Sequence, residues 1–341
     1  MPGSNRIMKH TVLSSGLHDA DIRPPALMSE LMRLSVRDAT RFFGDARGLE
    51  KVECPACSQD DANPAFEKNG FAYVRCGACQ SLYVSPRPNA ELLSRYYAES
   101  EASSFRTAQF TQGTASQRRF HQWRSNASWI AQLTEELYAA KRPVYADIQN
   151  YSPFIFDEMA ELGLFSALYS IDSHTPPLPS EVGTITSTAL SESPPLDVVS
   201  AFEKLEHEQS PFSFLKKLHH QIAPNGLLFL TTRTCSGFDL QVLGGKAPYI
   251  YVPEHLNLMS IAGLEQLVQR SGFELVELST PGQLDVELVL QACAEDPSIK
   301  LPPFARALLT ERGPLAHGDF QAFLQKHHLS SHVRIAARKR G

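Results

Sequence analysis

Residues 196–233 read LDVVSAFEKLEHEQSPFSFLKKLHHQIAPNGLLFLTTR, and this stretch decides the fold. LDVVSAF, at its start, is a nearly continuous apolar run, as expected of a strand buried on both faces of a parallel sheet. LLFLTTR, at its end, is a second such strand. Residues 211–222 between them predict a helix, because four apolar side chains recur on one face: Phe214, Leu215, Leu218 and Ile222. This order predicts two parallel strands joined by a crossover helix.

The same alternation extends to both sides of this stretch. The other strand-like runs are VYADI (144–148), ALYSID (167–172), VGTITST (182–188), FELVELS (273–279) and VRIAARK (333–339). Helices are predicted over residues 155–163 and 260–271, and Gly163 and Gly272 are placed to end them. Strands separated by helices favour an α/β fold, a Rossmann-like, doubly wound sheet over residues 141–341.

Two segments are predicted at the N-terminal side. Residues 1–50 form an extension that is partly helical, with an amphipathic helix expected near residues 25–43 because apolar side chains recur there at helical spacing. Residues 51–88 form a compact unit. Pro86 and Pro88 close it, since prolines this close together disfavour a continuing strand or helix.

Residues 89–140 are predicted to be a helical linker between that unit and the sheet. Asn89 is a good N-cap for a first helix. Residues 102–117 are rich in Ser, Thr and Gln and are interpreted as a loop. A second helix follows, with three apolar side chains on one face: Ile130, Leu133 and Leu137.

Composition excludes several classes of protein. Of 341 residues, 43% are hydrophobic and 20% charged, which allows a full core and argues against wholesale disorder. The formal charge of −5 gives no general attraction to nucleic acid. No apolar run approaches the roughly 20 residues that span a bilayer. The first residues contain no apolar signal core, so a cytoplasmic protein is expected.

Four of the six cysteines stand in two CxxC pairs. Cys54 and Cys57 precede Cys76 and Cys79 by 18 residues, a spacing typical of zinc sites. Each CxxC turn supplies two thiolates, and four thiolates fill the tetrahedral shell of a structural zinc ion. Asn69-Gly70 between the pairs predicts a hairpin that brings them together. Redox pairs or incidental cysteines are the alternative interpretation.

Four stretches together resemble a known family. They are CPAC at 54–57 with FAYVRCGACQSLYVSPRPNAELLSRYY at 71–97, the stretch 197–234, YVPEHLNLMSIAGLEQLVQRSGFELVELSTPGQLDVEL at 251–288 and FLQKHHLSSHVRIAARK at 323–339. In this order they resemble bacterial class I S-adenosylmethionine (SAM)-dependent methyltransferases with an N-terminal zinc ribbon. Some of these enzymes modify nucleotide-linked sugars or surface polysaccharides. The resemblance implies a Rossmann-like methyltransferase domain, SAM as cofactor and a structural zinc ion.

The resemblance also indicates where SAM would bind. It places Asp147, Gln149 and Tyr151 at the end of the first strand and in the following turn. Asp172, at the end of the second strand, would accept hydrogen bonds from the ribose hydroxyls, as in dinucleotide sites. Two residues after the fourth strand, Phe202 and Glu203, complete the predicted cofactor set.

The glycine-rich turn of the family is missing, because residues 149–153 read QNYSP. Glycines in that turn let the backbone approach the cofactor. Two interpretations are open. The pocket is altered and still binds SAM, or the chain is a pseudo-enzyme that kept the fold and lost the cofactor.

Two histidines are the candidate catalytic residues. His207 lies in the loop after the fourth strand and could act as general base, since histidine titrates near neutral pH. His255, with Glu254, forms a second polar pair that lines the substrate side or caps the following helix. Tyr249 and Tyr251 could stack on a sugar or a base, although buried tyrosines in a core are the simpler interpretation.

Three functions compete at this point. The first is methyl transfer to a small polar acceptor such as a nucleotide-linked sugar, and the second is a non-catalytic binding or scaffold role. The third, modification of nucleic acid gripped by the ribbon, is disfavoured by the acidic balance. His327, His328 and His332 are interpreted as surface or core residues and not as a metal cluster, because their spacing does not converge on one point.

Overall fold

The computed structural model describes residues 7–45, 47–138, 142–148, 154–172 and 185–340. Its strands are β1 (Ile7–Met8), β2 (Leu49–Glu50), β3 (Ala62–Lys68), β4 (Phe71–Cys76), β5 (Leu82–Val84), β6 (Arg87–Pro88), β7 (Val144–Ile148), β8 (Ala167–Ile171), β9 (Ile185–Thr188), β10 (Leu196–Phe202), β11 (Ile222–Arg233), β12 (Asn257–Leu258), β13 (Phe273–Ser279) and β14 (His332–Lys339).

The α-helices are α1 (Asp19–Ile22), α2 (Pro25–Phe43), α3 (Ala90–Glu99), α4 (Glu101–Phe105), α5 (Ala115–Arg118), α6 (Arg124–Tyr138), α7 (Phe154–Leu162), α8 (Pro211–Gln221), α9 (Phe238–Leu243), α10 (Ile261–Arg270), α11 (Asp285–Glu295), α12 (Pro303–Thr310) and α13 (Pro314–Lys326). Two π-helical segments, Arg106–Thr111 and Arg119–Trp123, interrupt the helices of the linker. None of the described helices combines the length and the apolar character that a bilayer crossing requires.

The main sheet has eight strands in the order β1-β13-β14-β11-β10-β7-β8-β9. Five neighbouring strands run parallel: β11, β10, β7, β8 and β9. Strand β14 is antiparallel to both β11 and β13. The chain leaves β7 toward one edge and returns at β10 to build the other half. This reversal makes a doubly wound sheet, so the predicted Rossmann-like α/β fold is confirmed.

Several local predictions are also confirmed. The side chain of Asn89 caps α3, and its Oδ1 accepts a hydrogen bond from the backbone N–H of Leu92 at 2.9 Å. Gly163 and Gly272 end α7 and α10 in left-handed conformations, with φ of 63° and 98°.

The loop predicted over residues 102–117 is wrong, because α4, the first π-helical segment and the start of α5 occupy it. The hydroxyl of Ser100 caps α4 by accepting from the N–H of Ser103 at 3.0 Å. Ala102 is fully buried against Leu31 of α2, and its N–H donates to the carboxylate of Asp38 at 2.9 Å. Tertiary packing therefore outweighs the polar composition that suggested a loop.

A smaller sheet of four strands, β12-β5-β4-β3, lies beside the paired cysteines: Cys76 ends β4, and Cys79 lies between β4 and β5. The predicted hairpin joins β3 to β4, and both turn residues, Asn69 and Gly70, have positive φ as a type I′ turn requires. The fourth strand, β12, comes from the chain after β11 and pairs with β5. The cysteines therefore share a hydrophobic core with the helices and strands of the main sheet.

Residues 9–22, here called the N-terminal strap, run along the C-terminal helices. The N–H and C=O of Leu13 bond the side-chain amide of Gln325 at 3.0 and 3.1 Å. Further along, the N–H of Ser15 donates to Gln283, and the N–H of Asp19 donates to Glu287. These bonds hold the strap across one side of the edge where β7, β10 and β11 end.

Candidate functional site

A cavity with a volume of about 270 Å³ lies at the carboxyl ends of β7, β10 and β11 and is here called the main cavity. Ligands of doubly wound sheets bind at this edge, where the strand order reverses. The strand ends supply Asp147, Phe202 and Glu203, three of the predicted cofactor residues. The linker and the N-terminal strap close the sides.

Asp147 is buried in the wall of the cavity with 3% of its surface exposed. The hydroxyl of Ser200 on β10 donates to its carboxylate and lies 2.6 Å from the hydroxyl of Tyr145. Burial raises the pKa of Asp147 to about 7, although the Ser200 hydrogen bond and the charge of Lys204 oppose this shift. The carboxyl group therefore changes its charge near neutral pH.

Glu203 begins the loop after β10 in a left-handed conformation, with φ of 52°. Its carboxylate accepts a hydrogen bond from Thr231 at 2.8 Å and lies 3.5 Å from the ring of His332. Burial acts to raise the pKa of Glu203, but the charges of His332 and Arg233 outweigh it and hold that pKa below its ordinary value. Glu203 is thus a negative charge on the cavity wall at neutral pH.

The two candidate catalytic histidines lie together in the cavity, with ring centroids 5.3 Å apart. Nδ1 of His207 is 2.6 Å from the carbonyl oxygen of Glu254, so Nδ1 carries the proton and Nε2 has a free lone pair. Nδ1 of His255 accepts from the N–H of Tyr251 at 3.4 Å, so the proton of His255 is on Nε2. The pair presents one acceptor and one donor nitrogen.

Both histidines are neutral at physiological pH. Burial, together with the positive charges of Arg106 and Lys204, lowers the pKa of His207 to about 3. Burial and the neighbouring His207 lower the pKa of His255 well below its ordinary value. His207 is therefore always in the form that can accept a proton, but as a weak base.

Asp172 lies at a second cavity of about 240 Å³, which shares Ile148 with the first. Its Oδ1 accepts a hydrogen bond from the N–H of Leu190 at 3.2 Å, and the residue has a φ of 47°. Asp172 is exposed, so its carboxylate remains accessible. Gln149 and Tyr151, the other two predicted cofactor residues, lie outside the described residues.

Residues 112–278 match the family model of a methyltransferase domain. The match begins in the linker, covers β7 to β12 and ends in β13. It includes the second cavity and the strand ends that line the main cavity. None of the curated proteins matches the chain.

Three solved structures are similar in fold. The plantazolicin methyltransferase BpumL in complex with SAH is 12% identical, with 73% of this chain and 94% of that chain covered at a TM-score of 0.42. Coclaurine N-methyltransferase is 12% identical, with 62% of this chain and 70% of that chain covered at a TM-score of 0.36. The cyclopropane synthase MmaA2 from Mycobacterium tuberculosis is 15% identical, with 62% of this chain and 84% of that chain covered at a TM-score of 0.34. Because these scores are low, the fold assignment rests on the strand order.

The four cysteines that precede the matched residues 112–278 form one compact cluster. All four sulfur atoms lie within 4.8 Å of one another. The Sγ atoms of Cys54 and Cys79 are 3.5 Å apart, as are those of Cys57 and Cys76. Tetrahedral zinc with Zn–S bonds of about 2.3 Å needs sulfur atoms about 3.8 Å apart. The geometry suits a zinc ion with no open coordination position.

Several residues of the cavity were missed by sequence reasoning. Arg23 follows the N-terminal strap, and Arg118 and Trp123 come from the linker, far from the strand ends in sequence. Arg233 closes β11, and its position at a strand end was a usable signal. His332 was interpreted as a surface or core residue, but it lies in the cavity wall beside Glu203.

Glu254, named with His255 in the sequence analysis, does not line the main cavity. Glu254 is buried and forms an ion pair with Arg106 of the linker at 2.7 Å, so it holds the linker rather than facing the cavity.

Proposed function

We propose that the chain transfers a methyl group from SAM to a small polar acceptor such as a nucleotide-linked sugar. One observation carries the proposal: two adjacent cavities lie at the point of strand reversal, and their walls contain Asp147, Phe202, Glu203 and Asp172, which all fall within the residues that match a methyltransferase domain. These are the described positions at which the family resemblance places the cofactor.

The residues present suit a cationic nucleoside. Asp172 is an exposed carboxylate able to accept hydrogen bonds from ribose hydroxyls, and Glu203 is a negative charge that attracts a sulfonium or ammonium group. SAM, when bound, supplies an electrophilic methyl group. Catalysis then depends mainly on aligning that group with the acceptor.

His207 and His255 would act on the acceptor. The lone pair on Nε2 of His207 accepts a hydrogen bond from an acceptor hydroxyl and orients its oxygen, and the Nε2–H of His255 donates to a neighbouring polar group. With its pKa near 3, His207 takes up the proton only as the acceptor becomes strongly acidic during transfer. Positioning is therefore its main contribution.

The alternative function is a non-catalytic binding protein. The sequence QNYSP at residues 149–153 favours it, because no glycine is available for the close approach of backbone to cofactor.

Calorimetric titration of the full-length, zinc-loaded protein with SAM and with S-adenosylhomocysteine separates the two. We expect micromolar binding, and Asp172→Ala should weaken it by about 1–3 kcal/mol through loss of charged hydrogen bonds. Asp319→Ala, a change of an exposed carboxylate on α13, is the matched control and should have no effect. A folded protein that does not bind either ligand at millimolar concentration would reject methyl transfer and leave the binding role.

A further inference from the structure

Three arginines from separate parts of the chain meet in the main cavity. Arg23 follows the N-terminal strap, Arg118 ends α5 in the linker and Arg233 ends β11. The chain as a whole carries a charge of −5, so this concentration of positive charge is local.

Tyr249 and the strap fix the arrangement. The guanidinium carbons of Arg23 and Arg233 lie 5.7 and 4.3 Å from the centre of the Tyr249 ring. Arg118 donates from Nη2 to the carbonyl of Ile22 at 3.0 Å and from Nε to Thr114 at 2.8 Å. Each guanidinium is therefore held in place before any ligand binds.

Arg118 is repelled by the charges of the other two arginines. Burial lowers the pKa of Arg118 to about 10, and the charges of Arg23 and Arg233 contribute to the decrease. A ligand of negative charge in this cavity would be attracted by all three guanidinium groups and would offset the repulsion on Arg118.

Carboxylates nearby compensate the charges of Arg23 and Arg233. Arg23 is paired with Asp19. Within the described ranges, no carboxylate oxygen forms an ion pair with Arg233. Burial acts to lower the pKa of Arg233, but Tyr249, Glu203 and Asp239 outweigh it and raise that pKa. Asp239 accepts hydrogen bonds from Tyr249 at 2.6 Å and from Ser331 at 3.0 Å.

We infer that Arg23, Arg118 and Arg233 form a binding site for a phosphate or diphosphate group of the acceptor. That this group belongs to the methyl acceptor rests on the proposed function, whereas the anion site rests on the arginines alone. Guanidinium groups bind phosphate oxygens through paired, charge-assisted hydrogen bonds, and several of them match a multiply charged group better than a single carboxylate.

The site also assigns a role to the N-terminal extension. Leu13, Leu17 and Arg23 line the cavity from the strap side, opposite the ends of β10 and β11. The extension thus completes the wall that would contact the phosphate end of the acceptor.

Calorimetry with inorganic pyrophosphate, at constant ionic strength and with the full-length zinc-loaded protein, tests the site. Arg118→Gln and Arg233→Gln should each weaken binding by about 10- to 100-fold, since a hydrogen bond to a charged group is worth about 1.5–3 kcal/mol. Arg306→Gln, a change of an exposed arginine on α12, is the control for overall charge and should shift binding less than about twofold.

Thermal melting establishes that each variant is folded. If Arg233→Gln does not fold, Arg233→Lys keeps the charge but removes the planar fork, and it should still weaken pyrophosphate binding severalfold. The inference is overturned if the parent protein does not bind pyrophosphate at millimolar concentration, or if Arg306→Gln weakens binding as much as the cavity variants.

SAM titrations of the same proteins separate this inference from the proposed function. SAM affinity should not change in Arg233→Gln; a parallel loss of SAM and pyrophosphate binding would mean that the arginines hold the cofactor carboxylate, which rejects the acceptor site. Arginine-dependent pyrophosphate binding without SAM binding would uphold the anion site and reject methyl transfer.

Discussion

The cysteine cluster and the main cavity differ in how much of the chain builds them. All four cysteine sulfurs come from residues 54–79, whereas the cavity takes its walls from segments between Leu13 and Arg334. The cluster is therefore specified by local spacing, and the cavity by the packing of the whole protein. This difference explains why one was readable from sequence and the other only at the strand ends.

Removing a cysteine ligand should have the largest effect and tests whether the cluster is as autonomous as its spacing suggests. Because Cys54 and Cys76 share a hydrophobic core with the main sheet, Cys76→Ser should destabilise the entire protein by several kcal/mol. Elemental analysis should show about one zinc per chain in the parent and much less in the variant.

The half-buried Cys293 of α11, which lies outside the cluster, provides the control Cys293→Ser. Unchanged zinc content and an unchanged melting temperature in Cys76→Ser would remove the cysteines from metal binding.

The ion pair between Arg106 and Glu254 sharpens the comparison from the cavity side, because it links segments 148 residues apart. Glu254 is fully buried, so Glu254→Gln leaves a buried guanidinium without its carboxylate and should cost about 3–5 kcal/mol in urea unfolding. Glu99→Gln breaks an exposed pair with Arg95 and should cost less than about 0.5 kcal/mol. Equal costs would show that the long-range pair does not hold the cavity together.

A smaller effect is expected from Asp147. Its pKa is about 7 in the folded protein and 3.8 ordinarily, so the folded state binds the extra proton and stability falls as pH rises from about 4 to 7. In the parent protein, Asp147 should lower the free energy of unfolding by about 1–3 kcal/mol across that range. Asp147→Asn keeps an oxygen that accepts the hydrogen bond of Ser200 and should abolish this pH dependence.

Urea unfolding at pH 5 and pH 8 measures the Asp147 effect, with Asp319→Asn as the exposed control. A pH dependence that is the same in the parent and in Asp147→Asn would contradict a shifted carboxyl group at the end of β7.

Much of the fold was predictable from sequence. Buried runs such as LDVVSAF and the helix ends at Gly163 and Gly272 depend on neighbours along the chain, and these were confirmed. The loop predicted over residues 102–117 was wrong because Ala102 and Ser103 are buried by α2, a contact that composition does not encode.

The candidate site was predictable only where topology places residues. Asp147, Phe202, Glu203 and His207 follow strand ends, and parallel strands deliver such residues to one edge of the sheet. Arg23 and Arg118 reach the same edge through the strap and the linker, and no local pattern distinguishes them from surface arginines. Their contribution depends on how distant helices pack.

The short strand β12 has a further consequence. It follows β11 in the chain, yet it pairs with β5 and completes the four-stranded sheet beside the cysteines. Tyr73 of that sheet also donates a hydrogen bond to the carbonyl of His255, two residues before β12. Cleavage near residue 88 would place β5 and β12 on different fragments. Each fragment would then expose an unpaired strand edge, which favours aggregation. We expect the two fragments to fold when they are expressed together, and not when each is expressed alone.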